Sequence, residues 1–165
     1  MVEPNRNPFR NPFDAADEAR RAIWTMLVER DIAAFLLADW SLVEDDFVAE
    51  GFLGIDGRRS SDPDGWRLAF PTLDAYRDEW LRQARDFAEG SYAEDPRAAI
   101  FSATTLEDIE IAGTAALVRK KFDGSLRKTD GSVDRMLWQT LYHCRLHEGR
   151  WKITGFTGYL PNPMG

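Results

Sequence analysis

The amino-acid sequence predicts an α+β fold in which helices pack on one face of a curved antiparallel sheet. Segments with helical spacing of apolar residues are confined to the chain before about residue 90, and alternating apolar and polar residues dominate from about residue 104 onward. Helices that precede a run of strands are typical of α+β domains. The length of 165 residues suits one domain with one core.

We divide the chain into an extended N-terminal arm, residues 1–13, and a single domain, residues 14–165. The arm carries a tandem repeat, RNPF at 6–9 and again at 10–13. Proline disfavours helix in the residue before it, so the arm is predicted to be extended. Two alternatives stay open: a loose tail, or an arm that packs through Phe9 and Phe13 on its own domain or on a partner subunit.

Three helices are predicted in the first half of the domain. Asp14 is expected to cap the first helix, Asp31 to cap a second one after a break near 29–31, and Thr72 to cap a third. The apolar positions with helical spacing are Ala19, Ile23, Met26 and Leu27 in the first helix, Ile32, Phe35 and Leu36 in the second, and Leu73, Tyr76, Trp80, Ala84 and Phe87 in the third.

The strands are predicted from alternation and from turn-forming residues. FVAEGFLGID (47–56) is expected to be a strand, and GRRSSDPDG (57–65) a loop. Two strands follow around a three-residue turn at 112–114, and two more form a hairpin around Glu148 and Gly149.

The last hairpin contains both histidines and the single cysteine. Pairing outward from the turn gives a core face and a polar face. The core face is expected to hold Trp138, Thr140, Tyr142, Cys144, Leu146, Trp151, Ile153, Gly155, Thr157 and Tyr159; the outward face, Gln139, His143, Arg145, His147, Arg150, Lys152 and Thr154. Cys144 would then be buried and point away from both histidines. His143 and His147 would lie roughly 13 Å apart, too far to bind one metal ion.

Charge and composition exclude several classes of partner. The formal net charge of -7 repels nucleic acids and anionic lipids, and no segment approaches a membrane span. A single cysteine and an N-terminal segment without an apolar signal-peptide core favour a cytoplasmic protein. DPDG lacks the glutamate of a calcium loop, and GIDGRR lacks the lysine of a phosphate-binding loop, so we expect no metal and no cofactor.

The order of these elements resembles the nuclear-transport-factor-like superfamily, which includes SnoaL-like and ketosteroid-isomerase-like proteins. The resemblance rests on ERDIAAFLLADW (29–40), TLDAYRDEWLRQA (72–84) and GRWKITGFTGYL (149–160). It implies a cone-shaped α+β barrel, in which a strongly bent sheet wraps around the N-terminal helices and a third helix. It also implies a cavity at the wide end, and a homodimer formed through the outer sheet face.

Catalytic members of this superfamily place a carboxylate and a hydrogen-bond donor on the cavity wall. The predicted turn at 112–114 puts Glu107 opposite Arg119, either as an acid–base pair in the cavity or as an ion pair at its rim. Asp46 is a second candidate base by resemblance, although Glu50 or Asp56 could take the same place. Tyr142 could donate a hydrogen bond to a substrate oxygen, or could be a core residue.

Aromatic residues are predicted either to line the cavity or to fill the core. The candidates for contact with a substrate are Trp66, Tyr76, Trp80, Trp138 and Tyr159. Two functions remain open. One is a cofactor-independent isomerase, dehydratase or cyclase that acts on a hydrophobic small molecule. The other is a non-catalytic ligand-binding or dimeric assembly module.

Overall fold

The computed structural model describes residues 6–164, and these form a mixed α+β fold around one curved six-stranded sheet. The predicted fold class is confirmed. The helices are α1 (Glu18–Trp24), α2 (Asp31–Leu37), α3 (Leu73–Glu89) and α4 (Pro96–Ala103), and the strands are β1 (Leu53–Asp56), β2 (Arg67–Phe70), β3 (Thr104–Ala112), β4 (Ala115–Arg127), β5 (Val133–His147) and β6 (Arg150–Leu160). The strand order is β2-β1-β6-β5-β4-β3. No helix within residues 6–164 combines the length and apolarity needed to cross a bilayer.

The first two helices form one continuous rod, so the predicted break near 29–31 is wrong. A π-helical segment, Thr25–Arg30, joins α1 to α2. Asp31 has helical backbone angles and caps nothing. The rod begins at Glu18, because Asp17 rather than Asp14 accepts the hydrogen bond of a first-turn amide. Since a π turn contains an extra residue, it changes which side chains of α2 face the sheet.

Three features of the chain between the rod and β3 differ from expectation. The first strand is shorter than the predicted segment 47–56, and it pairs in parallel with β6, so the sheet is not wholly antiparallel. Strand β2 follows the loop, and α4 lies between α3 and β3; neither element is among those predicted from the sequence. Asp95 caps α4 and Pro96 occupies its first turn, as at many helix starts. By contrast, Thr72 caps α3 as predicted.

The hairpin between β3 and β4 has a two-residue turn rather than the predicted three-residue turn. Ala112 pairs with Ala115, so every residue of β4 faces the side opposite to that expected. Leu117 therefore lies on the outer face, with 48% of its surface exposed. Lys120 instead points into the molecule.

The hairpin between β5 and β6 begins in the predicted register. Leu146 pairs with Trp151, and Cys144, which is buried as predicted, pairs with Ile153. One irregularity after Ile153 then reverses the parity of β6 over Gly155 to Thr157, and a second one before Leu160 restores it. Phe156 takes the inner position opposite Tyr142, so the placement of Gly155 and Thr157 on the core face is wrong.

Two polar expectations on the outer side of this hairpin have different outcomes. His143 pairs with Leu117 of the outer face, as its predicted orientation requires. Gln139 is almost fully buried rather than exposed. Its amide donates to the Pro161 carbonyl oxygen at 2.7 Å and accepts from Arg119 at 2.9 Å. The chain after β6 and the Arg119 side chain therefore cover Gln139.

The arm packs on its own domain over its described residues, 6–13; residues 1–5 lie outside the described part. The Phe9 ring lies 4.9 Å from the Phe101 ring of α4, centroid to centroid. The Arg97 guanidinium lies 4.8 Å from each of these two ring centroids. Asn7 and Asn11 each accept a hydrogen bond from the amide two residues later, so the two RNPF repeats form equivalent turns.

Candidate functional site

A cavity of about 910 Å³ lies between helices α2 and α3 and the inner face of β4, β5 and β6. Its apolar wall includes Ile32, Phe35, Trp80, Phe122, Trp138 and Phe156. Most of these side chains sit where the helical and strand periods turn them away from solvent. A cavity of this size and character is suited to a small organic molecule.

A buried ion pair forms part of the cavity wall. The Lys120 side chain is 1% exposed, and its Nζ donates to Asp31 Oδ2 at 2.9 Å and to the Leu27 carbonyl oxygen at 2.5 Å. The same ammonium lies 5.2 Å from the centroid of the Phe122 ring. Leu27 belongs to the π-helical segment, and Asp31 follows that segment directly. The unusual helical turn therefore brings two oxygen acceptors to one lysine.

The acid of this pair remains accessible. The Asp31 side chain is 29% exposed and lines the cavity. Within residues 6–164 its Oδ1 has no hydrogen-bond partner, and it is not sealed from solvent. A buried ammonium without a counter-ion would be strongly destabilising, so Lys120 requires Asp31. Asp31 consequently provides structural charge balance through one oxygen and can contact a ligand with the other.

Two tyrosine hydroxyls face the same space. Tyr76 of α3 and Tyr142 of β5 both line the cavity. Burial raises the pKa of both phenols well above the usual tyrosine value, and the Asp31 charge raises each pKa further. Neither hydroxyl has a hydrogen-bond partner within residues 6–164, and neither is sealed from solvent. Both phenols are therefore neutral donors that are available to a ligand oxygen.

The cavity wall carries a second polar group. The Tyr159 hydroxyl oxygen lies 3.1 Å from Gln83 Nε2, from which it can accept a hydrogen bond, and 3.2 Å from Gln83 Oε1, to which it can donate one. Burial raises the pKa of Tyr159 as well. The Tyr159 ring reaches the cavity because the second irregularity of β6, where Tyr159 has a φ of 53°, restores the predicted parity of the strand.

The predicted substrate-contacting residues separate into two groups. Tyr76, Trp80, Trp138 and Tyr159 line the cavity, as does the candidate donor Tyr142. Trp66 does not contribute to this wall. Its indole Nε1 donates to the Ser60 carbonyl oxygen at 2.9 Å, so it closes the loop 57–65. A tryptophan in a polar loop can be held by its own donor, which residue type alone does not reveal.

The predicted pair of Glu107 and Arg119 is wrong. Arg119 faces Asp108 across the hairpin and lies 3.4 Å from its carboxylate. The two-residue turn and an irregularity between Thr105 and Asp108 account for the difference. Arg119 lies on the outer sheet face, and Glu107 is exposed to solvent away from the cavity. Neither residue can contact a molecule bound there.

Asp46 is buried, but it lies outside the large cavity. Its carboxylate accepts two hydrogen bonds from Arg30, both at 2.8 Å, and another from Arg150. Only 1% of the Asp46 side chain is exposed. Because both oxygens are occupied by guanidinium donors, Asp46 is suited to holding the helical rod against the last hairpin rather than to accepting a proton.

Sequence reasoning missed the Lys120–Asp31 pair for two local reasons. Asp31 was interpreted as a cap, because aspartate at an apparent helix start usually has that role. Lys120 was placed on the outer face by the three-residue turn. Counting the turn as Gly113 and Thr114 would have placed a lysine among apolar neighbours on one face, which is a recognisable signal.

The comparisons with known proteins support the fold. No protein-family model matches the chain, and no curated protein matches it. The structure is similar to an NTF2-like protein of unknown function from Silicibacter pomeroyi, with a TM-score of 0.55, 18% identity, and coverage of 88% of this chain and 98% of that chain. For an NTF2-like protein of unknown function from Pseudomonas putida, the TM-score is 0.56, the identity 16%, and the coverage 90% and 89%.

A third similar structure is an NTF2-like protein with a cystatin-like fold from Novosphingobium aromaticivorans. Its TM-score is 0.52 and its identity 12%, and the match covers 87% of this chain and 82% of that chain. These identities carry no information about substrates. The architecture nevertheless agrees over nearly the whole domain, and on this ground the chain has the fold of the NTF2-like superfamily.

Proposed function

We propose that the protein binds a hydrophobic small molecule that carries a carbonyl or hydroxyl oxygen, and that it acts on this molecule by cofactor-independent proton transfer. The reaction would be an isomerisation, dehydration or cyclisation. One observation carries the proposal: an accessible carboxylate, Asp31, and two neutral phenols face the same cavity beside its aromatic wall. These are the groups that acid–base chemistry next to an oxygen requires.

The roles follow from the protonation states and contacts. Tyr142, and Tyr76 beside it, would donate hydrogen bonds to the ligand oxygen where negative charge develops. Asp31 would accept the proton through Oδ1. Lys120 would hold the carboxylate through Oδ2 and balance its charge, because an unpaired negative charge would be costly to remove from water.

A non-catalytic ligand-binding protein is the second candidate. It is favoured by the contact between Lys120 and Asp31, because an ammonium at 2.9 Å competes with a substrate proton for the carboxylate. In that case the same cavity would bind the same class of molecule without turning it over. The two candidates therefore share a binding test and differ in a test of turnover.

Binding can be tested by thermal shift with flat apolar hydroxy and keto compounds. A ligand that binds only the folded protein must stabilise it. We expect stabilisation of the wild type, and a smaller shift in Tyr142→Phe, which loses one donor. Arg119→Ala, on the outer face, is the matched control: whatever its own melting temperature, the shift that a ligand produces should equal that of the wild type. If no compound stabilises the wild type, the proposal fails.

Turnover can be tested with the compounds that bind, incubated with the protein in deuterated water. Acid–base catalysis should exchange hydrogens beside the ligand carbonyl for deuterium, which mass spectrometry detects. The double variant Asp31→Asn/Lys120→Met removes the carboxylate without leaving a buried charge, and we expect it to bind but not to exchange. Equal exchange by this variant would exclude Asp31 as the base. Absence of exchange in the wild type would favour the binding protein.

We also propose a homodimer formed through the outer sheet face, in the cytoplasm. The exposed leucines Leu117 and Leu137 lie on this face beside His143 and Arg119, and apolar side chains among polar ones are typical of subunit interfaces. The only cysteine, Cys144, is a buried thiol, which fits a reducing compartment. Light scattering at micromolar concentration should give twice the chain mass. A monomer mass would contradict the proposal.

A further inference from the structure

The loop 57–60 has a strained backbone next to the cavity. Arg58 and Arg59 both have positive φ angles, 53° and 57°, and the Ser60 amide donates to the Gly57 carbonyl oxygen at 2.9 Å. Positive φ at both central positions is the pattern of a type I′ turn, which favours Asn-Gly. Two arginines in such a turn are conformationally unfavourable.

The same strain continues into β6. The Arg59 amide donates to the Tyr159 carbonyl oxygen at 2.6 Å, and Tyr159 also has a positive φ. A bulky residue in this conformation is uncommon and persists only where the surroundings impose it. The described residues thus fix Arg59 against Tyr159 at a conformational cost, which indicates that the position of Arg59 matters.

Arg59 lies at a boundary between two spaces. It lines the large cavity, and it also lines a second groove of about 550 Å³; Gln83 and Tyr159 contribute to both. The Arg59 guanidinium lies over the Trp138 ring, 5.2 Å from its centroid, and this cation–π contact holds the charged group against the ring. Two carboxylates, Asp56 and Glu79, line the same groove, but Asp56 accepts a hydrogen bond from the Arg58 amide and Glu79 pairs with Arg82. Within residues 6–164 no carboxylate lies within 4 Å of the Arg59 guanidinium nitrogens.

The other cations that line the cavity are neutralised. Lys120 pairs with Asp31, Lys128 lies 3.3 Å from Asp134, and Arg135 lies 2.6 Å from Asp123. The remaining acids of the wall, Asp86 and Glu89, are on the last turns of α3, beside Tyr92. Trp138, on which Arg59 stacks, is four residues from Asp134 along β5, roughly 13 Å. The free positive charge is therefore at a separate end of the opening.

We infer that Arg59 binds the carboxylate of an apolar carboxylic acid whose body occupies the large cavity. This inference rests on the proposed function and narrows its substrate class. A planar guanidinium can donate two parallel hydrogen bonds to a carboxylate, and stacking on Trp138 orients it before the ligand arrives. The ligand then spans the cavity, with its anionic end at Arg59 and an uncharged oxygen near Tyr142.

The test compares pyrenebutyrate with pyrenebutanol, which differ in the carboxylate. Energy transfer from tryptophan to pyrene measures both dissociation constants. We expect the wild type to bind the acid about tenfold more tightly than the alcohol, the effect of one charge-assisted contact. Arg59→Gln should bring the ratio of the two dissociation constants close to one, because it removes the cation and keeps a polar side chain. Arg58→Gln is the matched control, because it removes a neighbouring cation in the same turn, and it should retain the wild-type ratio.

The outcomes separate this inference from the proposed function. If the alcohol binds but the preference for the acid is absent, or is unchanged in Arg59→Gln, the inference is wrong and the cavity still binds apolar molecules. If neither compound binds the wild type, both proposals fail.

A second variant tests whether strain is retained for recognition. Arg59→Gly relieves the unfavourable backbone conformation, so the melting temperature should rise by about 2–4 °C while the preference for the acid disappears. A lower melting temperature together with a retained preference for the acid would overturn the inference.

Discussion

Two clusters of buried charge among residues 6–164 differ in which partner is exposed. At the last hairpin the acid is buried: Asp46 is 1% exposed, whereas its partners Arg30 and Arg150 are 34% and 47% exposed. At the cavity the cation is buried: Lys120 is 1% exposed, whereas Asp31 is 29% exposed. In both clusters a buried charge is compensated by a more exposed partner, but only the second presents a carboxylate oxygen to a space that a ligand can enter.

The difference shows how burial can mislead a search for catalytic acids. Asp46 is the more deeply buried acid, yet its three hydrogen bonds from guanidinium groups leave nothing for a substrate. Asp31 is held through one oxygen and free at the other. An accessible carboxylate oxygen without a hydrogen-bond partner, rather than the depth at which the acid is buried, therefore distinguishes the candidate catalytic acid from the structural one. This difference in exposure also predicts which residue of each cluster contributes more to the free energy of unfolding.

The largest effect is expected for Asp31→Asn. This change leaves the Lys120 ammonium buried without a counter-ion, and breaking a buried pair in this way costs about 3–5 kcal/mol of unfolding free energy. Urea denaturation measures the loss. Asp108→Asn removes the acid of an exposed pair and should change stability by less than about 1 kcal/mol. Equal losses in the two variants would show that Lys120 does not depend on Asp31.

A somewhat smaller loss is expected for Arg30→Met, about 2–3 kcal/mol, because buried Asp46 loses two charge-assisted hydrogen bonds. Arg150→Met removes one such bond from the same acid and is the matched comparison, with an expected loss of about 1–2 kcal/mol. Urea denaturation curves of the two variants measure both losses. If neither variant were less stable than the wild type, the hydrogen bonds from Arg30 and Arg150 to Asp46 would not stabilise the fold.

Lys120→Met should cost about 1 kcal/mol or less. Methionine has a similar length, removes the buried charge, and leaves Asp31 in contact with the solvated cavity. The difference between the losses in Lys120→Met and Asp31→Asn measures how much more the buried ammonium depends on the carboxylate than the carboxylate depends on the ammonium. A loss as large as that of Asp31→Asn would mean that Asp31 is not hydrated.

The smallest expected effect is a change in stability with pH, at pH values near the usual tyrosine pKa. Burial raises the pKa of all four tyrosines, most strongly at Tyr76 and Tyr142. The native protein should therefore show less tyrosinate absorbance at about pH 10 than the unfolded chain, which is then partly ionised. The unfolded state loses protons first, so stability should fall as the pH rises above 10. Native tyrosinate absorbance equal to that of the unfolded chain would disprove burial of these phenols.

The parts of the fold that depend on local patterns were predictable. Helix α3, its Thr72 cap and the turn of the last hairpin follow from spacing and turn chemistry, and burial of Cys144 follows from its distance to that turn. Much of the aromatic wall was found because large rings at regular spacing must face inward. The charged part of the site was not found, because a one-residue difference in the turn at 113–114 exchanges Arg119 and Lys120 between the two faces.

Errors of a second kind come from backbone conformations without a sequence signature. The π-helical segment 25–30 continues the helix where a break was expected, so Asp31 becomes a wall residue instead of a cap. The irregular pairing of β6 moves Phe156 inward in place of Gly155 and Thr157. Such irregularities are set by packing across the domain rather than by neighbours in sequence, and only the assembled structure reveals them.

The packed arm has a consequence for the order of folding. The Arg6 side chain donates to Thr105 Oγ1, 99 residues later in the chain, and Phe9 packs on a helix that ends just before β3. Asn11 and Phe13 contact Arg21 of α1, which is synthesised soon after them. Arg6 and Phe9, in contrast, are synthesised long before the surface that receives them exists. This first part of the arm acquires its native contacts only after α4 and β3 have assembled.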